Sequence, residues 1–379
     1  MSSFVQFYEV NNNIMNLRNG FSSVWNAIKD KGDMIWIDPY QNYFPEVDNE
    51  VYISCGFEME FDYIEEWIKS RPDVKFIVGG PAVNYLDFHI TSPNAHFDNR
   101  YMFELLGVTP SSDLWGLTLP KLATDSNLYI YYTYPLAFGN ACYWGKCTIC
   151  NRKAQHGLDL KVDKIPIVKP NHNIVWFNKL SLTSKDILSI FPTLGQDSYY
   201  SFFIRGDSIV LDALNKTKIV DTLRPSIGVE FPSDRILKSM NKGIDIETLL
   251  KVSMILLQNG CIIKLFVIHA WPNLIEDDVK SVEYFLSKLE PFKKQVACYN
   301  HWLFSHTKED NTIPYKSKYG KVHYIYKLDE EQMKLNNKVL NLYKSFDFLS
   351  YGNSGIFENF FHSNSEEYYK FIEKGSCEV

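Results

Sequence analysis

The sequence lacks any apolar run long enough to cross a membrane. Its longest mostly apolar stretches, 252–257 and 261–269, fall well short of the roughly 20 residues a spanning helix needs. No basic segment followed by an apolar core opens the chain at Met1-Ser2-Ser3-Phe4-Val5, so no secretory signal is visible. An excess of positive charge is also missing: 39 basic and 45 acidic residues are interspersed for a net charge of -6. That balance offers no phosphate-neutralising field and argues against a nucleic-acid partner. Cysteine is scarce at seven, and Cys55, Cys261, Cys298 and Cys377 are scattered rather than framed as disulfides. Thiols left reduced predict a cytoplasmic protein.

What is present is enough for a sizeable core. At 379 residues with 45% hydrophobic content, the chain suits one large domain or two ordinary ones. Aromatic residues reach 15%, with 24 Tyr and 26 Phe, which either line a roomy substrate channel or reflect A/T-rich codon usage. Up to about residue 125 the pattern is that of a small α/β unit. Apolar runs at 33–38, 50–55 and 74–81 read as strands, and Phe57, Phe61, Ile64 and Ile68 give helical spacing between the last two. Strand, helix, strand implies a parallel sheet. The turn-rich segments 110–113 and 125–127 place a boundary near residue 125.

The chemistry concentrates in Gly139-Asn140-Ala141-Cys142-Tyr143-Trp144-Gly145-Lys146-Cys147-Thr148-Ile149-Cys150. Three of the seven cysteines fall here as Cys-x4-Cys-x2-Cys, with no fourth cysteine and no histidine inside the loop. A 4Fe-4S cluster takes one thiolate per iron, so three cysteines leave one iron open to an exogenous ligand. The other reading is a zinc knuckle with a distant fourth ligand. The loop resembles that of the radical S-adenosylmethionine (SAM) superfamily, with Ile149 at the hydrophobic position before the last cysteine. The residue added to the usual Cys-x3-Cys-x2-Cys is similar to the branch that carries an N-terminal cobalamin-binding-type domain.

That resemblance implies an α/β fold: an N-terminal Rossmann-like domain (1–125), a partial (β/α)6 TIM-type barrel (126–310) and a helical C-terminal cap (311–379). Strand patterns at 128–133, 173–177, 199–204, 226–231, 261–269 and 295–303 supply the barrel. It is most specific over Ile227 to Gly243, where Gly228-Val229-Glu230 and Met240-Asn241-Lys242-Gly243 match the branch. The resemblance puts Glu230 against the ribose or methionine part of SAM; a salt-bridged barrel carboxylate is the alternative. Lys242 and Gly243 read as a helix end, with Gly at C′. Arg205, in Arg-x-Asp, is implied as a bidentate partner of the SAM carboxylate or else as an interior ion pair with Asp207 or Glu230. Asn178 is implied as a hydrogen-bond partner of the SAM amino group. His269-Ala270-Trp271 replaces a familiar glycine-containing segment, and His269 reads as structural.

The cobalamin hallmark Asp-x-His-x-x-Gly is absent. Its place, Asp38-Pro39-Tyr40-Gln41-Asn42-Tyr43, lacks the histidine and the glycine, and Asp87-Phe88-His89 follows the wrong strand. Cobalamin is therefore possible but not favoured, and a degenerate domain is expected. Relatives with this loop and domain order often modify ribosomally made peptides, so the resemblance implies such a substrate; with cysteines for auxiliary clusters and the cobalt ligand both lacking, Cα epimerisation of that peptide is the expected reaction. Cys298 would then be the hydrogen-atom donor from the barrel, with Cys377 the runner-up. A cobalamin-dependent C-methyltransferase is the alternative. The resemblance further implies a 5′-deoxyadenosyl radical, a peptide substrate, and a flavodoxin- or ferredoxin-type electron donor.

Overall fold

The computed structural model describes residues 2–11, 14–17, 21, 24–37, 43–55, 60–80, 83, 92–98, 100, 102–108, 131–137, 142–150, 173–196, 198–305, 309–316 and 322–349. The chain divides into two compact units. One comprises Met1–Phe138, Leu160–Asn178 and Lys316–Lys321, and the other Gly139–Asp159, Lys179–Tyr315 and Val322–Val379. The turn segments at 110–113 and 125–127 lie outside the described residues, as do Asp38 to Asn42 and 84–91.

In chain order the first unit contributes β1 (Ser2–Asn11), β2 (Ile14–Leu17), α1 (Trp25–Ile28), β3 (Gly32–Ile37), β4 (Glu50–Ser54), α2 (Phe61–Ser70), β5 (Lys75–Gly79), β6 (Ala95–Phe97), α3 (Met102–Leu105), β7 (Tyr131–Ala137) and β8 (Asn173–Asn178). Strand β1 is central, with β3 and β4 both parallel to it and β5 and β6 continuing the parallel sheet. Residues Ser3 to Phe7 of this strand are buried on both of its faces. Val5 and Phe7 join Ile53, Trp67 and Val78 in one core, whereas Phe4 joins Phe21, Trp25, Ile28 and Met102 in another. Helix on each side of a parallel sheet is the Rossmann-like layering. Gln6, fully buried, accepts a hydrogen bond from the Phe21 N–H at 2.6 Å and ties the chain after β2 to the sheet.

The second unit contributes α4 (Ser184–Ile190), β9 (Ser198–Ile204), α5 (Ser208–Leu214), β10 (Leu223–Glu230), α6 (Asp234–Ser239), α7 (Ile246–Gln258), β11 (Ile263–His269), α8 (Glu276–Leu289), β12 (Val296–Trp302), β13 (Phe304–Ser305), β14 (Thr312–Lys316), β15 (Val322–Tyr326) and α9 (Glu330–Ser345). Strands β9, β10, β11 and β12 run parallel in that order, the β/α repeat of a partial TIM-type barrel. Asp207, Asp245 and Asp329 cap the N-termini of α5, α7 and α9, which satisfies otherwise orphaned N–H groups.

The two faces of these four strands differ. Ile227, Ile263, Leu265 and Val267 are almost wholly buried, as are Leu249, Val252 and Leu256 of α7 and Val282 and Phe285 of α8. On the opposite face Phe203, Phe266 and Tyr299 are half-buried. Their rings meet at centroid distances of 5.3 and 5.0 Å. Phe203 and Phe266 reach each other across β10 because their partners in register there are Ser226 and Gly228.

Strands β13, β15 and β14 form a small separate sheet ahead of α9, so the region read as a helical cap also has a β component. Helix α9 is fastened by two amides. Asn336 accepts from Trp271 N–H at 3.0 Å and donates to Trp271 C=O at 2.9 Å. Gln332 does the same for Leu274 at 2.6 and 3.0 Å. Among the described residues no helix is long and apolar enough to cross a membrane.

Candidate iron-sulfur and SAM site

The cysteine loop is seated by the segment that follows α6. Met240 ends that helix and Asn241 takes φ +52°. Lys242 N–H then reaches Leu237 C=O at 3.0 Å and Asn241 N–H reaches Lys238 C=O at 2.9 Å. This is a Schellman closure with Asn241 at C′, where the sequence reading placed Gly243. An asparagine tolerates the left-handed region through its short polar side chain, and here that side chain has a second use. Its amide donates to Lys146 C=O at 3.2 Å, while the Trp144 indole N–H donates to Asn241 C=O at 2.8 Å. Thr148 N–H adds a bond to Met240 C=O at 2.8 Å.

Gly243, also left-handed at φ +68°, lies so close to the Trp144 ring that a Cβ there would be 2.2 Å from it. The Met-Asn-Lys-Gly sequence is thus the bed of the cysteine loop rather than an ordinary helix stop. Gly145, at φ +61°, makes the turn between Cys142 and Cys147. All three cysteines are half-buried, and so is Ile149.

Arg205, 5% exposed, lies immediately after β9. Its Nε donates to Asp207 Oδ2 at 2.9 Å, Nη2 donates to Lys242 C=O, and Nη1 faces Cys147 Sγ at 3.9 Å. The guanidinium stacks over Trp144 at 5.0 Å and Tyr143 at 5.8 Å. Tyr143 donates its hydroxyl to Asp207 Oδ2 at 2.6 Å; burial, reinforced by that carboxylate, pushes its phenol well above the usual range. Of the roles left open for Arg205, the ion pair with Asp207 is the one observed.

Glu230 ends β10 at a bulge, where the register with β11 shifts, and takes φ +60°. A bulge re-aims a side chain. Glu230 Oε1 meets Lys242 Nζ at 2.5 Å in a largely buried ion pair. Both atoms lie over Gly228, whose added Cβ would be 2.9 and 3.0 Å from them. Lys242, read from the sequence only as a helix-end cation, is therefore the partner of Glu230. The sequence contained a signal for this in Gly228, which removes the side chain that would block the pair.

The structure brings Cys142, Cys147, Cys150, Ile149, Arg205 and Glu230 into one neighbourhood of the second unit, linked through Lys242. Cys298 lies elsewhere. Its partner in register is Leu265, on the face that carries Ile263 and Val267 rather than the face of Gly228 and Phe266. Burial pushes its thiol well up, with Lys264 partly opposing, and Cys298 in turn adds to the raised pKa of buried Tyr343 in α9. Asn178 ends β8 beside Ala137, but its side chain lies outside the described residues, as does Cys377. His269 is 3% exposed and precedes Ala270 at φ +61°.

The donor set suits a cluster. Three thiols of one short loop and a nearby cation, with no fourth Cys or His in the loop among the described residues, match a cubane with one open iron. Among the described residues no three His, Cys, Asp or Glu side chains gather tightly enough for a single ion; a cubane takes its thiolates at separate irons. Fit to cobalamin is not visible in the described part of the first unit. At the end of β5 a Cβ on Gly79 would meet Met102 Cε at 2.2 Å, and one on Gly80 would meet Cys55 O at 2.5 Å. Those glycines are used by the chain's own packing.

No protein-family model and no curated protein matches the sequence. Solved structures do. The radical SAM methyltransferase TsrM from Kitasatospora setae, with cobalamin and a 4Fe-4S cluster bound, superposes with a TM-score of 0.55 at 8% identity over 90% of this chain and 91% of that one. TsrM with tryptophan substrate and a SAM analogue gives 0.51 at 7% identity over 91% and 89%. The cobalamin-dependent SAM radical enzyme OxsB with aqua-cobalamin gives 0.51 at 14% identity over 92% of this chain, which spans 56% of OxsB. At such identities the likeness is one of fold, and the chain has the fold of the radical SAM enzymes that carry a cobalamin-binding-type domain ahead of a partial barrel.

Proposed function

We propose that the chain is a radical SAM enzyme in which Cys142, Cys147 and Cys150 hold a 4Fe-4S cluster with one iron left for SAM. The observation that supports this is the cysteine loop bedded on Met240 to Gly243, with the Arg205 guanidinium at 3.9 Å from Cys147 Sγ. When bound, the cluster supplies the electron for reductive cleavage of SAM. The chain's residues do the rest: Trp144, Asn241 and Gly243 fix the loop, Lys242 holds Glu230 over Gly228, and Phe203, Phe266 and Tyr299 give the adjoining sheet face an aromatic lining.

For the reaction, methyl transfer assisted by a corrinoid in the first unit is better supported than peptide Cα epimerisation. The chain and the methyltransferase TsrM are nearly coextensive, and the epimerisation reading needs Cys298 on the site face, whereas its register partner Leu265 is fully buried on the other. The corrinoid is supported by the shared fold, not by the described glycine contacts. A peptide substrate, a flavodoxin- or ferredoxin-type donor and a cytoplasmic location belong to this proposal. Anaerobic reconstitution should yield about four irons and four sulfides per chain, and desalting after incubation with hydroxocobalamin should leave corrinoid bound. A zinc-only protein that does not cleave SAM with dithionite would sink the enzyme reading; loss of all corrinoid on desalting would sink methyl transfer alone.

A further inference from the structure

We propose that Arg205 is the fixed charge that raises the reduction potential of the cluster, not a ligand for the SAM carboxylate; this rests on the cluster reading above. The usual route to a carboxylate is the two-pronged edge of the guanidinium. Here the Nε and Nη2 edge is already committed, to Asp207 Oδ2 and to Lys242 C=O. The remaining nitrogen, Nη1, is directed at Cys147 Sγ.

Every group around the guanidinium holds it in that orientation. Asp207 is itself immobilised, since its Oδ1 caps α5 by accepting from Val210 N–H at 3.0 Å and its Oδ2 accepts from Tyr143. Trp144 and Tyr143 cover the planar group. Both belong to the cysteine loop, so loop and cation are fixed together. The Arg205 and Asp207 pair is neutral overall but oriented, with its positive end at the sulfur and its negative end spread into the tyrosine hydroxyl and the helix N-terminus.

Reduction adds one electron to the cluster. A cation and an N–H donor at a ligating sulfur stabilise the more negative, reduced form, and cluster potentials follow charge and hydrogen bonds to sulfur. Burial limits screening by salt.

The test uses full-length protein reconstituted anaerobically as wild type, Arg205→Lys and Arg205→Gln. Iron and sulfide are counted, the cluster is titrated potentiometrically with its EPR signal as readout and without SAM, and SAM binding is measured by equilibrium dialysis. The expected result is a more negative midpoint in Arg205→Gln, a smaller negative shift in Arg205→Lys, and SAM affinity retained in both. An unchanged midpoint, or SAM affinity lost in both variants, overturns the proposal. Should Arg205→Gln fail to hold its cluster, the midpoint of Arg205→Lys decides in the same way. A wild type that takes up no four-iron cluster is a different outcome: it removes the cluster reading itself, and it shows in the iron count before any variant is compared.

Discussion

Glu230 and Lys242 meet at 2.5 Å directly above the hydrogen face of Gly228. The pair exists because position 228 has no side chain. Gly228→Ala would set a methyl group 2.9 Å from Glu230 Oε1 and 3.0 Å from Lys242 Nζ. Both atoms end flexible side chains, so they must swing aside, and the pair parts where the two cannot move together. Separating a largely buried pair costs about 1–3 kcal/mol, so thermal melts should show a Tm lowered by several degrees. SAM affinity should fall with it if Glu230 also faces the cofactor, and Gly228→Ala with full stability and full binding would show that the pair is ornamental.

A second relationship is written in the backbone. Ala270 holds φ +61°, a region that costs an L-residue roughly 1–2 kcal/mol, at the place where the resembling family has glycine. Asn336 of α9 clamps the next residue by both its N–H and its C=O, and this clamp over-determines the strained turn. Ala270→Gly should therefore raise stability by about 1 kcal/mol, less the entropy glycine loses on folding. Asn336→Ala, which strands a buried N–H and a buried C=O, should lower it by about 2–4 kcal/mol. Chemical denaturation of the two variants checks both signs, and Ala270→Gly less stable than wild type would refute the strain.

Burial gives the protein a pH-dependent term at Lys264. This residue is 7% exposed, lies over the Phe266 and Tyr299 rings at 5.1 and 5.4 Å, and has its ammonium pushed down to about 7 by desolvation. Between about 7 and the ordinary lysine value the unfolded chain binds the proton and the folded chain does not, so stability rises with pH there, by about 1.4 kcal/mol per unit at most. Below 7 both states carry the charge and the full penalty remains. Cys298, with its thiol raised by burial, works in the opposite sense from about 9 upward, which limits the clean window to pH 7–9. Denaturant melts across that window should show wild type gaining on Lys264→Met as pH rises; parallel curves would mean that Lys264 stays charged.

The sequence is most informative where a pattern has a single physical cause. Strands β10, β11 and β12 emerge within a few residues of the runs read from β-branched and aromatic spacing, because each has one face packed on helices and one half-buried. The central strand β1 escapes the same reading. Ser3, Phe4, Val5, Gln6 and Phe7 are all buried, so polar residues fall inside and no alternation survives. The cysteines and the Met-Asn-Lys-Gly segment are legible as motifs, but the way one beds the other is not. It depends on Trp144 reaching a residue 97 positions away and on two left-handed residues, Asn241 and Gly243, of which only the glycine is visible as such. The Lys242 partner of Glu230 likewise requires the bulge after Gly228, which no spacing announces.

Cys298 shows the limit of face assignment from a single strand. Alternation groups Cys298 with Val296, but only the register with β11 says which face that is, and Leu265 puts it on the helix-covered side. A raised thiol pKa in such a place means a protonated, poorly nucleophilic sulfur at neutral pH. Alkylation by iodoacetamide of the native protein at pH 8 should accordingly spare Cys298 while modifying it readily in denaturant. Cys298→Ala should retain the cluster and the rate of SAM cleavage, with stability lowered by about 1–2 kcal/mol for the small cavity left behind. The discriminating measurement is the full reaction in deuterium oxide. A hydrogen donor drawn from an exchangeable thiol would place deuterium on the substrate carbon in wild type and lose it in Cys298→Ala, with SAM cleavage continuing in both. Methyl transfer instead leaves the product mass shift unchanged between wild type and variant. Deuterium that disappears with Cys298 would restore the epimerase reading and require β12 to turn its thiol toward the site.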